Sequence, residues 1–197
     1  MFDNQIEWTP EMCVLDAKSV IWLASLFSYG RQQLLSGHET FAFEIPLKGI
    51  EGQEKLVQVE LYAFTPEGQE GNLGVWFADK QTIHAYGITT RSIEMGLRTL
   101  IHEGTHAIDP EANDPSEIIA QIEEWGDEER PIEVRARGAE MGFFAMRTGE
   151  IPEAFVFQVE SEEGIAFSRN IAKLCRREWV GAKATLDKVL AEGGVVL

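Results

Sequence analysis

The chain has 197 residues, of which 44% are hydrophobic and 25% charged, enough for one globular domain with one sizeable core and too little for two comfortable ones. Its 17 basic and 33 acidic residues leave a net charge of −16. That charge repels phosphate backbones and anionic lipid, so neither nucleic acid nor a membrane surface is an expected partner.

The start, MFDNQIEWTPE, lacks the basic stretch of a signal peptide. The longest apolar run, Val20 to Phe27, is far short of the roughly 18 residues of a membrane span. Cys13 and Cys175 are too few for a disulfide framework and read as buried thiols. The expectation is a soluble, cytoplasmic protein whose residues 1–197 form a single domain.

The first predicted helix opens at Thr9-Pro10, a good cap followed by a good first-turn residue, and runs through CVLDAKSVIWLASLFSYGRQQLL to Gly37. The period then shortens. FAFEIPLKG, LVQVELYAF and GVWFADKQTIHAYG are rich in aromatic and branched residues and are separated by turn chemistry. They predict three or four mostly antiparallel strands between residues 40 and 88, with Asp79-Lys80 as a hairpin turn. Helices follow: Ser92 to Ile108, ended by Asp109-Pro110; Glu117 to Trp125; Pro131 to Arg147; and a long last one from Glu162 to Ala191. Helix, sheet, then helices is an α+β order.

The helix over Ser92–Ile108 carries His102-Glu103-x-x-His106. Two His at i and i+4 project from one helical face at the spacing that binds a single zinc ion, and the intervening Glu can serve as general base on a zinc-bound water. Ile93, Leu97, Leu100, Ile101, Gly104 and Ile108 form the apolar stripe of this helix, and both His lie on the far side of it. Zinc needs a third protein ligand. His38 and His84 are remote in sequence. Glu133, in the first turn of the helix after Pro131, borders that helix's core stripe of Ile132, Ala136, Ala139, Phe143 and Met146, and is the favoured candidate; Glu140, two turns on, is the runner-up. Asp109, at i+7 from His102, can be a ligand, a residue that orients one, or a turn residue.

HEGTHAIDP followed by Glu133 in PIEVRA resembles the minimal gluzincin-type zinc metallopeptidases, in particular the ImmA/IrrE-like peptidases and small HExxH proteins encoded by bacteriophages. The resemblance covers about residues 73–146. It implies a zincin-like fold with His102, His106 and Glu133 as zinc ligands and Glu103 as base.

The strand QTIHAYG precedes the HExxH helix, so it is the expected edge for an extended peptide, and His84 and Tyr86 on one face of it are candidate donors to an oxyanion. Arg135 and Arg137 compete for that role. From Asp109 to Glu129 the chain holds nine acidic residues and no basic one, either a solvated connection or an acidic lid that favours basic substrates. The leading expectation is a zinc-dependent peptidase acting on a peptide or protein. The alternatives are a zinc-binding interaction protein without turnover and an acidic mimic of nucleic acid.

Overall fold

In the computed structural model, which describes residues 9–127, 129–149 and 162–192, the chain opens on a 3-10 turn, Pro10–Cys13. Thr9-Pro10 starts that turn and not the long helix. The backbone then extends so that Leu15 bridges to Gly49. Helix α1, Ala17–Leu35, begins only after this, capped by Asp16, whose carboxylate accepts from the Ser19 amide at 2.7 Å. The predicted start is therefore early because a second cap, behind a stretch of extended chain, takes over.

The strands are β1, Thr40–Lys48; β2, Glu54–Tyr62; β3, Gly74–Phe77; and β4, Thr82–Ala85. They form one sheet in the order β1-β2-β4-β3. The β1–β2 and β3–β4 pairs are antiparallel, the latter joined around Asp79-Lys80 as expected. The β2–β4 pair is parallel, so the sheet is mixed. The connection after β2 carries the chain past the β4 position, and β4 rather than β3 docks on β2. Ile45, Leu47, Val57, Val59, Leu61, Ile83 and Ala85 are buried on the inner face. Alternation sends Gln58, Glu60, Tyr62 and His84 to the outer face.

The remaining helices are α2, Ile93–Ile108; α3, Pro115–Trp125; α4, Pro131–Thr148; α5, Glu162–Trp179; and α6, Lys183–Glu192. The last two replace the single helix predicted to Ala191, because a 3-10 turn, Val180–Ala182, interrupts it. Both still use the predicted stripe: Ile171, Cys175, Ala182, Leu186 and Val189 are buried, with Leu174 and Leu190 packed against them. The architecture is α+β. Helices α1 and α2 cover the inner face of the sheet, α4 packs on α2, and α5 packs on α4. Cys13 and Cys175 are buried and form no disulfide with each other. Among the described residues no helix is long and apolar enough to cross a membrane.

Helix α4 meets α5 through glycines. A Cβ on Gly142 would stand 2.1 Å from the Cys175 Cβ, and one on Gly138 would stand 2.6 Å from the Ile171 Cβ. Because the first turn of α4 also carries the candidate ligand Glu133, this close approach matters to the candidate site. Gly142→Ala should lower stability by about 1–3 kcal/mol through overpacking, although alanine in an exposed helix interior gains roughly 0.5–1 kcal/mol over glycine. A urea titration decides the sign; a raised midpoint would contradict the packing described.

Candidate metal centre

Helix α2 is set by Ser92, which accepts from the Met95 amide at 3.1 Å, and ends at Asp109 before Pro110. One side packs on α1 and the sheet: a Cβ on Gly96 would strike the Phe27 ring, and one on Gly104 would stand 3.1 Å from Leu15. The opposite side carries His102 and His106, but it does not face open water. Helix α4 packs against it, and His106 and Glu103 are both buried. Pro131 starts α4, so Glu133 stands in its first turn, level with the two imidazoles.

His102 Nε2 lies 3.1 Å from His106 Nε2. Glu133 Oε2 lies 3.3 Å from His102 Nε2, and Glu133 Oε1 lies 3.4 Å from His106 Nε2. These three residues form a group that could hold a metal ion. One ligand atom from each of the three residues lies within 4.8 Å of the others, and the Glu133 carboxylate straddles the pair, one oxygen towards each imidazole. Two imidazole nitrogens this close cannot both present lone pairs unless a cation or a proton sits between them.

Glu140 lies on the other side of His102. Its Oε2 is 3.1 Å from His102 Nδ1, and its Oε1 accepts from Arg98 Nη2 at 3.3 Å. A carboxylate in that place fixes the ring and leaves Nε2 for a metal. Burial disfavours a charge on His102, yet its hydrogen bonds to Glu133 and Glu140 outweigh this and hold its pKa well above the ordinary value. Burial likewise pushes Glu133 up, but the hydrogen bonds to His102 and His106 prevail and hold it far below the usual carboxylate range. For Glu103 burial prevails over the charges of His102 and His106, and its pKa is raised.

Asp109 is not among the converging atoms. Its Oδ2 accepts from Arg135 Nε at 2.6 Å and its Oδ1 from the Glu111 amide at 3.0 Å. Arg135 also donates to Glu111 Oε2 at 2.7 Å. Gln121 donates to the same Glu111 oxygen and accepts from the Ile132 amide at 3.2 Å. This network ties the end of α2 to α3 and to the first turn of α4. It commits Arg135 to structure and removes it from the candidate oxyanion donors.

His84 and Tyr86 stand elsewhere. On the outer face of the sheet His84 Nε2 is 3.3 Å from Glu60 Oε2 and its Nδ1 is 3.3 Å from the Tyr86 hydroxyl. The His84 ring packs on Phe77 and the Tyr86 ring on Tyr62. Neither residue lines the cavities beside His102, although the Glu103 carboxylate, after burial, helps to raise the Tyr86 hydroxyl's pKa. His38 is exposed beyond the end of α1.

A cavity of about 320 Å³ opens onto His102, Glu103, His106 and Glu133, with Val75 and Trp76 of β3 on one side and Ile118, Arg130 and Ile132 on the other. A second, of about 310 Å³, adjoins it through Gly74 and reaches Arg137 and Glu140. Gly74 allows the approach: a Cβ there would stand 2.6 Å from Thr99 and 3.2 Å from the Glu103 side chain. Arg130, absent from the sequence-based candidates, donates to Glu133 Oε1 at 2.8 Å and also pairs with Asp127. Its signal was its place, three residues before Glu133 and next to the helix-starting proline.

Comparison of the chain with family models, with curated proteins and with solved structures found no match. The chemistry of the site therefore carries the functional reading.

The ranking of the carboxylates can be measured by competitive zinc titration. Glu133→Ala should weaken binding most, because two imidazoles remain. Glu140→Gln should weaken it by about 10–100-fold, as expected for a residue that orients a ligand. A titration in which Glu140→Gln costs more than Glu133→Ala would reverse their roles.

Proposed function

We propose that the protein is a zinc-dependent peptidase of the minimal gluzincin plan, with a zincin-like arrangement of sheet, HExxH helix and ligand-bearing second helix. The observation that carries this reading is the convergence of His102, His106 and Glu133 ligand atoms within 4.8 Å of one another, beside the buried carboxylate of Glu103 and lining a cavity. Two imidazoles and one carboxylate suit zinc better than the all-oxygen sites of calcium or magnesium. Three protein ligands facing a cavity match a catalytic site, whereas a structural zinc site is closed by four.

Zinc there would supply Lewis acidity, lowering the pKa of a water and polarising the scissile carbonyl. The chain's own residues do the rest. The Glu103 carboxylate takes the proton of the attacking water and delivers it to the nitrogen of the leaving amine. Its raised pKa suits a group that must carry that proton between the two steps. Glu140 and Arg130 orient His102 and Glu133.

The substrate backbone has a place to lie. The edge expected at QTIHAYG is instead β3, since β4 is interior to the sheet. Gly74, Val75 and Trp76 of that edge strand border the cavity, where an extended peptide can add as a further strand. Two cysteines without a disulfide between them suit a reducing, cytoplasmic setting.

Purified chain supplied with zinc should hold one equivalent and cleave members of a fluorescence-quenched peptide library. Glu103→Gln should keep the zinc and lose the cleavage, because an amide cannot take the proton. Cleavage by Glu103→Gln at the wild-type rate, or cleavage that survives removal of the metal by a chelator, would overturn the proposal.

A further inference from the structure

Helix α3 joins the two ligand-bearing helices, and its own packing is unusual. Of its eleven residues only Gln121 is buried. Its helicity rests on its ends: Asp114 accepts from the Ser116 amide at 2.9 Å, Pro115 fills the first turn, and Gly126 at φ 78° stops it. The apolar side chains Ile118, Ile122 and Trp125 fall within about 60° of one another around the axis, and Ile119 widens the stripe on one side. Ile119, Ile122 and Trp125 are 59%, 40% and 39% exposed. Single exposed apolar residues are ordinary, but a stripe of them along one helix marks a contact surface.

The stripe begins at the metal cavity. Ile118 lines that cavity, and Trp125 lines a separate hollow of about 420 Å³. Glu117, Glu123 and Glu124 flank the stripe, within a connection from Asp109 to Glu129 that has no basic residue. A second copy of this chain would bring another net −16 and the same acidic flank against it, which like-charge repulsion opposes. Charge complementarity selects a different occupant.

We propose that the exposed face of α3 docks a basic polypeptide segment that also carries branched apolar side chains, and so recruits such chains to the mouth of the metal cavity. The docking needs no metal; its role in bringing substrate to the cavity rests on the peptidase reading.

The test uses the full chain and measures anisotropy of a fluorescein-labelled amphipathic Leu/Lys peptide, a Leu/Glu counterpart and a Ser/Lys peptide of equal positive charge. The Leu/Lys peptide should bind. The double variant Ile119→Ser/Ile122→Ser should weaken it at least about tenfold, corresponding to roughly 1.4 kcal/mol. The Leu/Glu peptide should not bind, and the Ser/Lys peptide should bind more weakly than the Leu/Lys one. Equal binding by wild type and double variant would overturn the proposal, as would equal binding of the Leu/Lys and Ser/Lys peptides. A wild-type dimer by light scattering that the double variant abolishes would also overturn it, making a second copy the occupant. Zinc content and peptide cleavage measured on the same samples separate the two readings. Docking without zinc would sink only the peptidase, and cleavage without docking would sink only this surface.

Discussion

Arg135 and Asp109 are in contact at 2.6 Å with 1% and 0% of their side chains exposed. Neither charge could stay buried there without the other, since a lone buried ion costs several kcal/mol. The pair spans the two helices that carry the candidate ligands. Asp109 closes α2 three residues after His106, and Arg135 lies two residues after Glu133 on α4. Fixing these two side chains against each other fixes the register of the helices at the point where an imidazole and a carboxylate must meet. Asn113 reinforces it by donating to the carbonyls of His106 and Asp109 at the C-terminal end of α2.

Around this clamp the charges are divided by task. Glu111 and Asp109 serve Arg135, Glu140 serves His102 and Arg98, and Arg130 steadies Glu133. Glu103 makes no such commitment to an arginine. It rests in the narrow space opened by Gly74, between α2 and the edge strand, with its pKa raised by burial. The proposed chemistry asks for one carboxylate to coordinate and another to move a proton, and the arginine-tethered Glu133 and the buried Glu103 stand in correspondingly different surroundings.

Local signals were legible where one strong cap or period decided the outcome. Ser92 and Asp109-Pro110 bound α2 as expected, Pro131 starts α4, and the burial of Leu97, Leu100, Ile101 and Gly104 follows the predicted stripe. Glu133 was readable because a first-turn position after Pro131 fixes where its side chain stands relative to the core stripe. The failures are non-local. A bridge from Leu15 to Gly49 decides that Asp16 and not Thr9 caps α1, and its partner is more than thirty residues away. The parallel pairing of β2 with β4 depends on how the connection after β2 crosses the sheet, so the edge strand was assigned to the wrong half of the hairpin. The same alternation that joined His84 to Tyr86 could not say which face of the sheet they would occupy. The Arg135 network depends on pairs between separate elements, which spacing along one helix does not reveal, whereas Arg130 pairs locally, three residues from both Asp127 and Glu133.

The central claim is that His102, His106 and Glu133 hold one zinc ion. Diffraction from crystals grown with zinc, recorded on both sides of the zinc absorption edge, tests it most directly. The account predicts a single strong anomalous peak about 2.0–2.2 Å from both Nε2 atoms and from a Glu133 oxygen. A peak ligated by Asp109 or Glu140 in place of Glu133, or no peak between the two imidazoles, would contradict it.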